Sequence, residues 1–466
     1  MTQEPGSEQS VTGESLYRKE PKIYARRVKG KFSRLRVIAV WVLLGLYYLL
    51  PWININGKQS MLFDLPARKF YIFGLTFWPQ DFIYLALLMI TAGLSLFFFT
   101  ALAGRLWCGF ACPQTVWTET FMWIETWIEG DRNKRIKLDK APWTTEKIFR
   151  KSAKQALWIF FAAWTGFTFV GFFSPIRDLG SAITDFSLGP WETFWIVFYS
   201  FATYGNAGFL REQVCKYMCP YARFQSAMFD QDTLIISYDP DRGEPRGGRR
   251  KTDNPGDRGL GDCINCTLCV QVCPTGIDIR DGLQYDCIAC AACIDVCDQV
   301  MDKMEYPRGL IRYTTENALK LKQGHVIRPR LMVYGALLLV IISGTLWSMT
   351  HRIPLRADLI RDRNALYREL PGDLIENVYT LKITNMDNAP HRYEMRVLNN
   401  DVVQIDLGGS LELEAEQVSG VTVRLRIPKS AGQGVQNVKI GLQAVDDDSI
   451  RTEITAKALM PMEFNN

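Results

Sequence analysis

The chain has 466 residues, enough for two or three domains, and sets 54 Lys and Arg against 49 Asp and Glu, a net charge of +5. So small an excess argues against a nucleic-acid-binding protein. Mean hydropathy is ordinary, but the average conceals long uncharged apolar runs separated by polar, cysteine-bearing stretches.

Residues 1–17 read as a polar tail. Residues 18–36 form a basic segment (Arg18, Lys19, Lys22, Arg26, Arg27, Lys29, Lys31, Arg34, Arg36) that either lies on anionic head groups or simply sets topology. Five apolar runs follow, at about 37–55, 82–103, 155–176, 193–210 and 331–350, each near the roughly 20 residues needed to cross a bilayer. Trp52, Trp78 and Trp191 sit at run ends, as an interfacial belt would. The loop between the second and third runs is strongly cationic, whereas loops 56–81 and 177–190 are poor in cations. Positive charge marks the inner side, so the N-terminus, residues 211–330 and all twelve cysteines fall inside, and the tail after 350 falls outside. No cleavable signal pattern opens the chain, so the first run serves as an anchor. Thiols kept in a reducing compartment are metal ligands or redox groups more often than disulfides.

Between the runs, residues 52–81 read as an external interfacial or re-entrant piece. The stretch VWTETFMWIETWIE (116–129) predicts an interfacial helix, with Trp117, Phe121, Ile124 and Ile128 on one face and Glu119, Glu125 and Glu129 elsewhere. Residues 239–262, rich in Gly, Pro and charge, predict a solvated linker whose Arg249–Arg250–Lys251 run could dock an acidic electron donor. After the fifth run, 355–370 reads as a short polar helix. The alternating segments VYTLKITNM, HRYEMRVL, VTVRLRI, VKIGLQAV and EITAKAL then predict a small all-β sandwich.

The chemistry lies in the cysteines. DCINCTLCVQVCP and CIACAACIDVC are each Cys-x2-Cys-x2-Cys-x3-Cys, the spacing of a two-cluster bacterial ferredoxin. Each triplet grips one [4Fe–4S] cube and takes its fourth ligand from the other half. Cluster 1 therefore falls to Cys263, Cys266, Cys269 and Cys297, and cluster 2 to Cys287, Cys290, Cys293 and Cys273. Pro274 follows the first fourth-position cysteine but Asp298 follows the second, which leaves the cluster using Cys297 the more exposed. Zinc is the poorer fit, because its sites favour paired cysteines over triplets.

The remaining cysteines form twin motifs, CGFACP (Cys108, Cys112) and CKYMCP (Cys215, Cys219), at the inner ends of the second and fourth runs. Positions i and i+4 share a helix face, so the two pairs could meet in one four-sulfur site, within one chain or across a homodimer. Such thiolates suit Cu(I), zinc or an iron–sulfur centre, or can cycle through a disulfide; small residues packing helix ends are the plain alternative. Met218 is better read as lipid- or core-facing than as a ligand, and His325, His351 and His391 receive no ligand role.

GRLWCGFACPQTVWTE, REQVCKYMCPYARFQSAMFDQDTL, SYDPDRGEPRG and LFDLPARKFYIFGLTFWPQDF resemble the cytochrome c oxidase accessory proteins of the CcoG/FixG/RdxA family, and the resemblance runs over nearly the whole chain. It implies a bacterial inner-membrane protein that reduces Cu(II) to Cu(I) during assembly of cbb(3)-type oxidase. A cytoplasmic electron donor, copper ion, and copper chaperones or transporters would be its partners, and Cys108, Cys112, Cys215 and Cys219 would be its copper site. Alternatives are a polyferredoxin conduit to a quinone or membrane partner, and an assembly scaffold or redox sensor. The expected architecture is a multi-domain membrane protein: a basic segment (1–36), a five-helix α transmembrane domain (37–238, completed by 331–350), a cytoplasmic α+β two-[4Fe–4S] ferredoxin-like domain (239–330) and a periplasmic all-β immunoglobulin-like sandwich (351–466).

Overall fold

A computed structural model describes residues 22–226, 228–253, 259–320, 327–363 and 365–461. The expected polar tail, Arg18, Lys19 and His325 lie outside the described residues. The chain divides into two compact units, Met1–Ile341 and Ile342–Asn466.

The first unit opens with helix α1 (Lys31–Leu49), then a hairpin of β1 (Asn54–Ile55) and β2 (Lys58–Gln59) and a three-stranded antiparallel sheet of β3 (Met61–Asp64), β4 (Lys69–Ile72) and β5 (Leu75–Phe77). The interfacial or re-entrant piece expected over 52–81 is thus mostly sheet. Asn56 and Gly57, both at positive φ, turn the first hairpin as an Asn-Gly pair does. Helices α2 (Phe82–Ala103), α3 (Leu106–Phe110), α4 (Pro113–Glu129), α5 (Arg132–Lys140), α6 (Thr145–Val170), α7 (Ile176–Thr184), α8 (Pro190–Thr203) and α9 (Pro220–Ser226) follow.

Three helical stretches of the described chain are long and apolar enough to cross a bilayer: Lys31–Trp52, Pro79–Ala103 and Pro329–Thr350. The other two expected crossings fall short of that standard. α6 has 26 residues but carries Lys147, Arg150, Lys151 and Lys154 in its first three turns. α8 reaches the length of a hydrocarbon core only with the residues that follow it, and Glu192, Thr193, Tyr199, Ser200, Tyr204 and Asn206 make that segment the more polar. A π-helical stretch, Tyr204–Leu210, extends it. The two helices pack closely through Gly166, where a Cβ would stand 2.5 Å from the Ile196 carbonyl oxygen, the close approach that small residues permit between helices.

α4 does not expose its acids. Glu125 and Glu129 are completely buried. Glu125 Oε2 accepts from Arg135 (3.1 Å) and Arg211 (3.0 Å), and Lys151 and Lys154 each approach Glu129 at 2.9 Å. Buried charges persist when paired in this way.

The ferredoxin region is closed by an antiparallel pair, β6 (Ile235–Tyr238) with β7 (Ile311–Thr314). Between them lie short helix α10 (Pro240–Gly243), α11 (Leu268–Gln271) and α12 (Ala292–Met304); α13 (Glu316–Lys320) and α14 (Pro329–Thr350) come after. The supposed linker packs onto this domain: Arg242 donates to the Arg308 carbonyl (3.0 Å), and Lys251 reaches Glu305 (2.6 Å). Asp295 of α12 caps α1, accepting from the backbone N–H groups of Phe32 (3.2 Å) and Ser33 (2.7 Å), so the cluster domain is fastened to the first apolar helix at its N-terminal end.

In the second unit, β8 (Leu355–Arg361), β9 (Arg368–Leu370), β10 (Leu374–Asn385), β11 (His391–Val397), β12 (Gln404–Leu407), β13 (Glu412–Leu413), β14 (Val418–Pro428), β15 (Gly434–Ala444) and β16 (Arg451–Met460) form two sheets. One runs β12-β14-β10-β8 with β9 against β10; the other runs β13-β11-β15-β16. Their inner faces meet in a core containing Ile375, Leu381, Ile383, Leu425, Ile427 and Ile440. Each fully buried aliphatic side chain contributes about 1.5–3 kcal/mol. The polar helix expected over 355–370 is β8 and β9 instead: Leu355 and Ala357 point inward, and Arg356 and Asp358 point outward.

Candidate metal centres

The two ferredoxin ligand sets surround two separate cavities. Cys263, Cys266, Cys269 and Cys297 line one, with Tyr238, Arg280 and Met301. Cys273, Cys287, Cys290 and Cys293 line the other, with Cys269 at its edge. Each set of four thiols thus faces one space, with Cys297 among the first triplet and Cys273 among the second, a donor set that fits a [4Fe–4S] cube in each. Among the described residues no three His, Cys, Asp or Glu side chains close tightly enough to hold a single metal ion. Cys266 is exposed, whereas Cys290 is buried.

Left-handed backbone makes these loops. Asn265 and Thr267 in the first, and Ala289 and Ala291 in the second, all have φ between 53° and 60°. Burial pushes the Cys269 thiol up to about 11 and those of Cys287 and Cys297 up to about 12, and it raises Cys290 and Cys293 as well. Such thiols ionise against a metal centre, which releases their protons as it binds.

The twin motifs have matching construction, though not the continuous helix expected of them. Cys108 lies in the five-residue α3, and Cys112 breaks from it with φ −61° and ψ 129°. Cys215 lies in a π-helical stretch, Val214–Met218, and Cys219 breaks from that with φ −79° and ψ 111°. Pro113 and Pro220 then each start a new helix, α4 and α9, at the position where proline's missing N–H costs nothing. The four sulfurs are electrostatic neighbours of one another: Cys112, Cys215 and Cys219 all act on Cys108. Burial, then Cys112, pushes the Cys108 thiol up to about 12; burial takes Cys215 up to about 11 and raises Cys112. Met218, between the second pair of thiols, is 60% exposed.

Several residues around these thiols were not singled out by the sequence. The Cys108 thiol donates to Gln225 Oε1 (3.6 Å), while the fully buried Gln225 donates through Nε2 to the Gly104 carbonyl (2.9 Å). Thr115 Oγ1 donates to the Cys108 carbonyl at 2.6 Å. Arg105, 6% exposed, donates to the carbonyls of Tyr285, Cys287 (3.4 Å) and Ala222 (2.8 Å). It thereby joins the cluster 2 loop to the helix that follows Cys219. Lys216, between the second pair of thiols, approaches Asp286 of the same loop at 3.6 Å. All four lie within or beside the two motifs, where proximity in sequence was the available signal.

The tightest contact is at Gly109. A Cβ there would lie 2.7 Å from the Ile288 carbonyl oxygen and 2.8 Å from that of Ala289. The middle of CGFACP therefore rests directly on the backbone of the Cys287–Cys290 loop. Cys108 also packs against the buried cluster of Val28, Val272, Ile288, Cys290, Ala292 and Val296. Burial raises the Cys290 thiol, although the Arg36 guanidinium near it opposes the shift.

Comparison with known proteins agrees with this layout. A 4Fe–4S dicluster domain model matches residues 210–316, a 4Fe–4S binding domain model matches 85–135, and the Ig-like fold at the C-terminus of FixG matches 345–461. The nitrogen fixation protein FixG of Rhizobium meliloti is 35% identical over 460 residues, covering 89% of this chain and 88% of that protein. RdxB and RdxA of Cereibacter sphaeroides are 38% and 36% identical, each over 90% of this chain and over 91% and 92% of their own lengths. With its dicluster cysteines, its apolar helices and its Ig-like C-terminal domain, this chain belongs to the FixG/RdxA family of membrane-associated iron–sulfur proteins.

Proposed function

We propose that this protein passes electrons from its two ferredoxin clusters to Cu(II) at the Cys108, Cys112, Cys215 and Cys219 thiols, and that the Cu(I) formed serves assembly of a cbb(3)-type oxidase. The observation that carries this reading is the contact of Gly109 with the Ile288 and Ala289 carbonyls, which leaves no side chain between the thiol motif and the cluster 2 loop. When bound, each [4Fe–4S] cluster supplies one electron at a time at low potential. Cu(II) takes up that electron to become Cu(I), and the soft thiolates match the product better than the reactant. Arg105 and Lys216 hold the loop against both thiol pairs. Gln225 orients Cys108. Within this reading the chain crosses a bacterial inner membrane several times, with both cysteine-bearing regions on the cytoplasmic side, where a cytoplasmic donor reaches cluster 1.

Anaerobic mixing of the reduced holoprotein with Cu(II) tests this. About two Cu(I) per chain are expected, one electron from each of two clusters, with clearly slower formation in Cys215→Ser and Cys219→Ser variants that keep both clusters. Absence of Cu(I), or unchanged rates in those variants, overturns the reductase reading.

A second reading has its own observation. The 4Fe–4S binding model over 85–135 includes Cys108 and Cys112, so the four thiols could instead carry a third cluster and act as a conduit to a membrane partner. Iron analysis separates the two: about eight irons per chain for two clusters, about twelve for three, at four irons per cube.

A further inference from the structure

A cavity of about 390 Å³ lies where the segment before α1, the first turns of α1, the middle of α4 and the ferredoxin domain meet. Its charge is lopsided. Four cations at its rim, Arg26, Arg27, Lys29 and Arg34, are exposed, and two more, Arg36 and Arg135, lie deep inside; Glu119 is the one carboxylate in its wall. Arg135, 4% exposed at its side chain, spends its two terminal nitrogens on Glu125 (3.1 Å) and the Ala25 carbonyl (2.6 Å), and its Nε has no partner. Arg36, 11% exposed, lies 3.5 Å from Glu119, and its Nε also has none. Both Nε atoms are closed off from the open space as well as unpaired, so the two guanidinium groups lend the wall positive charge, and the donors free to meet a ligand are those of the exposed rim.

The rest of the wall is apolar. Ile38, Met122 and Trp123 line it, and Ile38 belongs to the outward stripe of α1, where Leu35 is 47%, Ile38 58% and Trp41 67% exposed. The Trp123 ring lies 6.3 Å from that of Trp41. The cavity therefore continues from buried guanidinium groups, past a cationic rim, onto the lipid-facing side of a membrane-crossing helix. A free phosphate would use the first part only; an amphiphile uses all of it.

We infer that this cavity is a site for one acidic phospholipid, its phosphate held by the exposed rim cations Arg26, Arg27, Lys29 and Arg34 over the buried charges of Arg36 and Arg135, and its acyl chains laid along Ile38 and Trp41. Basic pockets beside membrane helices on the inner side take such head groups. Ala292 belongs both to this cavity's wall and to that of the cluster 2 cavity. The inference does not depend on which species the twin thiol motifs carry.

The test uses the full holoprotein in nanodiscs of phosphatidylcholine doped with phosphatidylglycerol, with bound lipid counted by native mass spectrometry. One phosphatidylglycerol per chain is expected, retained over phosphatidylcholine by about tenfold or more. It should persist at about 1 M salt, where the Debye length is about 3 Å and diffuse surface attraction is lost. Retention falls about tenfold in the rim double variant Arg26→Gln/Arg34→Gln. It falls similarly in Met122→Trp, which fills the cavity and leaves every charge in place; retained cluster absorbance certifies both folds. Equal retention of the two lipids, loss of preference in salt with Met122→Trp unaffected, or full displacement by millimolar inorganic phosphate each overturns the proposal.

Discussion

Replacing Gly109 by alanine adds one methyl group at the contact between the thiol motif and the cluster 2 loop. The new Cβ would sit 2.7, 2.8 and 2.9 Å from Ile288 O, Ala289 O and Ala289 C, where ordinary contact begins near 3.4 Å. All three are backbone atoms, and their loop is fixed by Arg105 on the Tyr285 and Cys287 carbonyls and by the left-handed conformation of Ala289 and Ala291. No rotamer change can relieve the clash, so the two segments must separate. Overpacking of this kind costs about 1–3 kcal/mol. Gly109→Ala should therefore lower the temperature at which cluster absorbance is lost, and slow reoxidation of the reduced clusters by Cu(II) in anaerobic stopped-flow more than it lowers cluster content. Gly93→Ala in α2 is the matched control. A Cβ at Gly93 meets nothing within 4 Å, and alanine in a helix interior is favoured over glycine by roughly 0.5–1 kcal/mol. Equal behaviour of the two variants in both assays would refute the claim that the Gly109 contact couples the sites.

Arg105→Gln strips donors from three carbonyls in a buried position, at about 1–3 kcal/mol; lower iron content of cluster 2, read by electron paramagnetic resonance, is the expected sign, with partial recovery in Arg105→Lys. Asp295→Ala removes the acceptor for the Phe32 and Ser33 N–H groups and should cost about 0.5–2 kcal/mol, seen as earlier thermal loss of the clusters. In the C-terminal unit, His391 bridges Asp446 (2.6 Å) and Asp387 (2.9 Å). Burial opposes its imidazolium, but the two carboxylates outweigh burial and its pKa is raised. A raised folded value stabilises fully below the unfolded pKa of about 6.5 and loses that contribution as pH rises through the folded value. Melting of this unit, followed in the full chain, should therefore fall with rising pH above about 6.5, and less so in His391→Asn; superimposable profiles would refute the bridge.

The division of eight cysteines between two cavities was readable because ferredoxin spacing is written in one dimension: a triplet and its crossing partner follow from spacing alone. The main sandwich strands were readable for a related reason, since residues 374–460 alternate with period two. The failures have common physical causes. β8 was mistaken for a polar helix because Arg356, Asp358 and Arg361 dominate its composition, although Leu355 and Ala357 alternate with the first two of them. Glu125 and Glu129 were assigned away from the packed face because burial of a carboxylate depends on cations the local sequence does not display; Arg135, Lys154 and Arg211 come from three later segments. The crossings expected at 155–176 and 193–210 rest on apolar length alone, and the buried ion pairs at the start of α6 were not visible from it. At the thiol site the cysteines themselves were legible. What fixes them was not: Gln225 and the Ile288 carbonyl reach Cys108 and Gly109 only in three dimensions, and the partners of Arg105 lie in distant segments.

The two halves of the ferredoxin region differ in a way that orders the sites. Asp298 replaces the proline found at Pro274, and its carboxylate accepts the Gly309 N–H at 3.0 Å, tying α12 to the turn before β7. No proline side chain could make that bond. Pro274, by contrast, faces a cavity shared with Thr275, Ile288 and Cys215 of the second thiol motif. Each departure from symmetry thus suits its surroundings: a carboxylate where the domain closes on itself, a rigid apolar ring where it meets the thiol motif. Exposure follows the same axis. Cys266 in the first ligand set is exposed, although Cys263 and Cys269 beside it are buried. In the second set Cys290 is buried and Cys273, Cys287 and Cys293 are half-buried, so none is exposed, and Arg36 and Arg105 lie close to that set. Cationic groups beside a cluster favour its reduced, more negative state. A donor in solution can reach the first set, and the second set lies against the thiols. For the proposed reaction this gives the electron an entry, a direction and an exit without movement of any element.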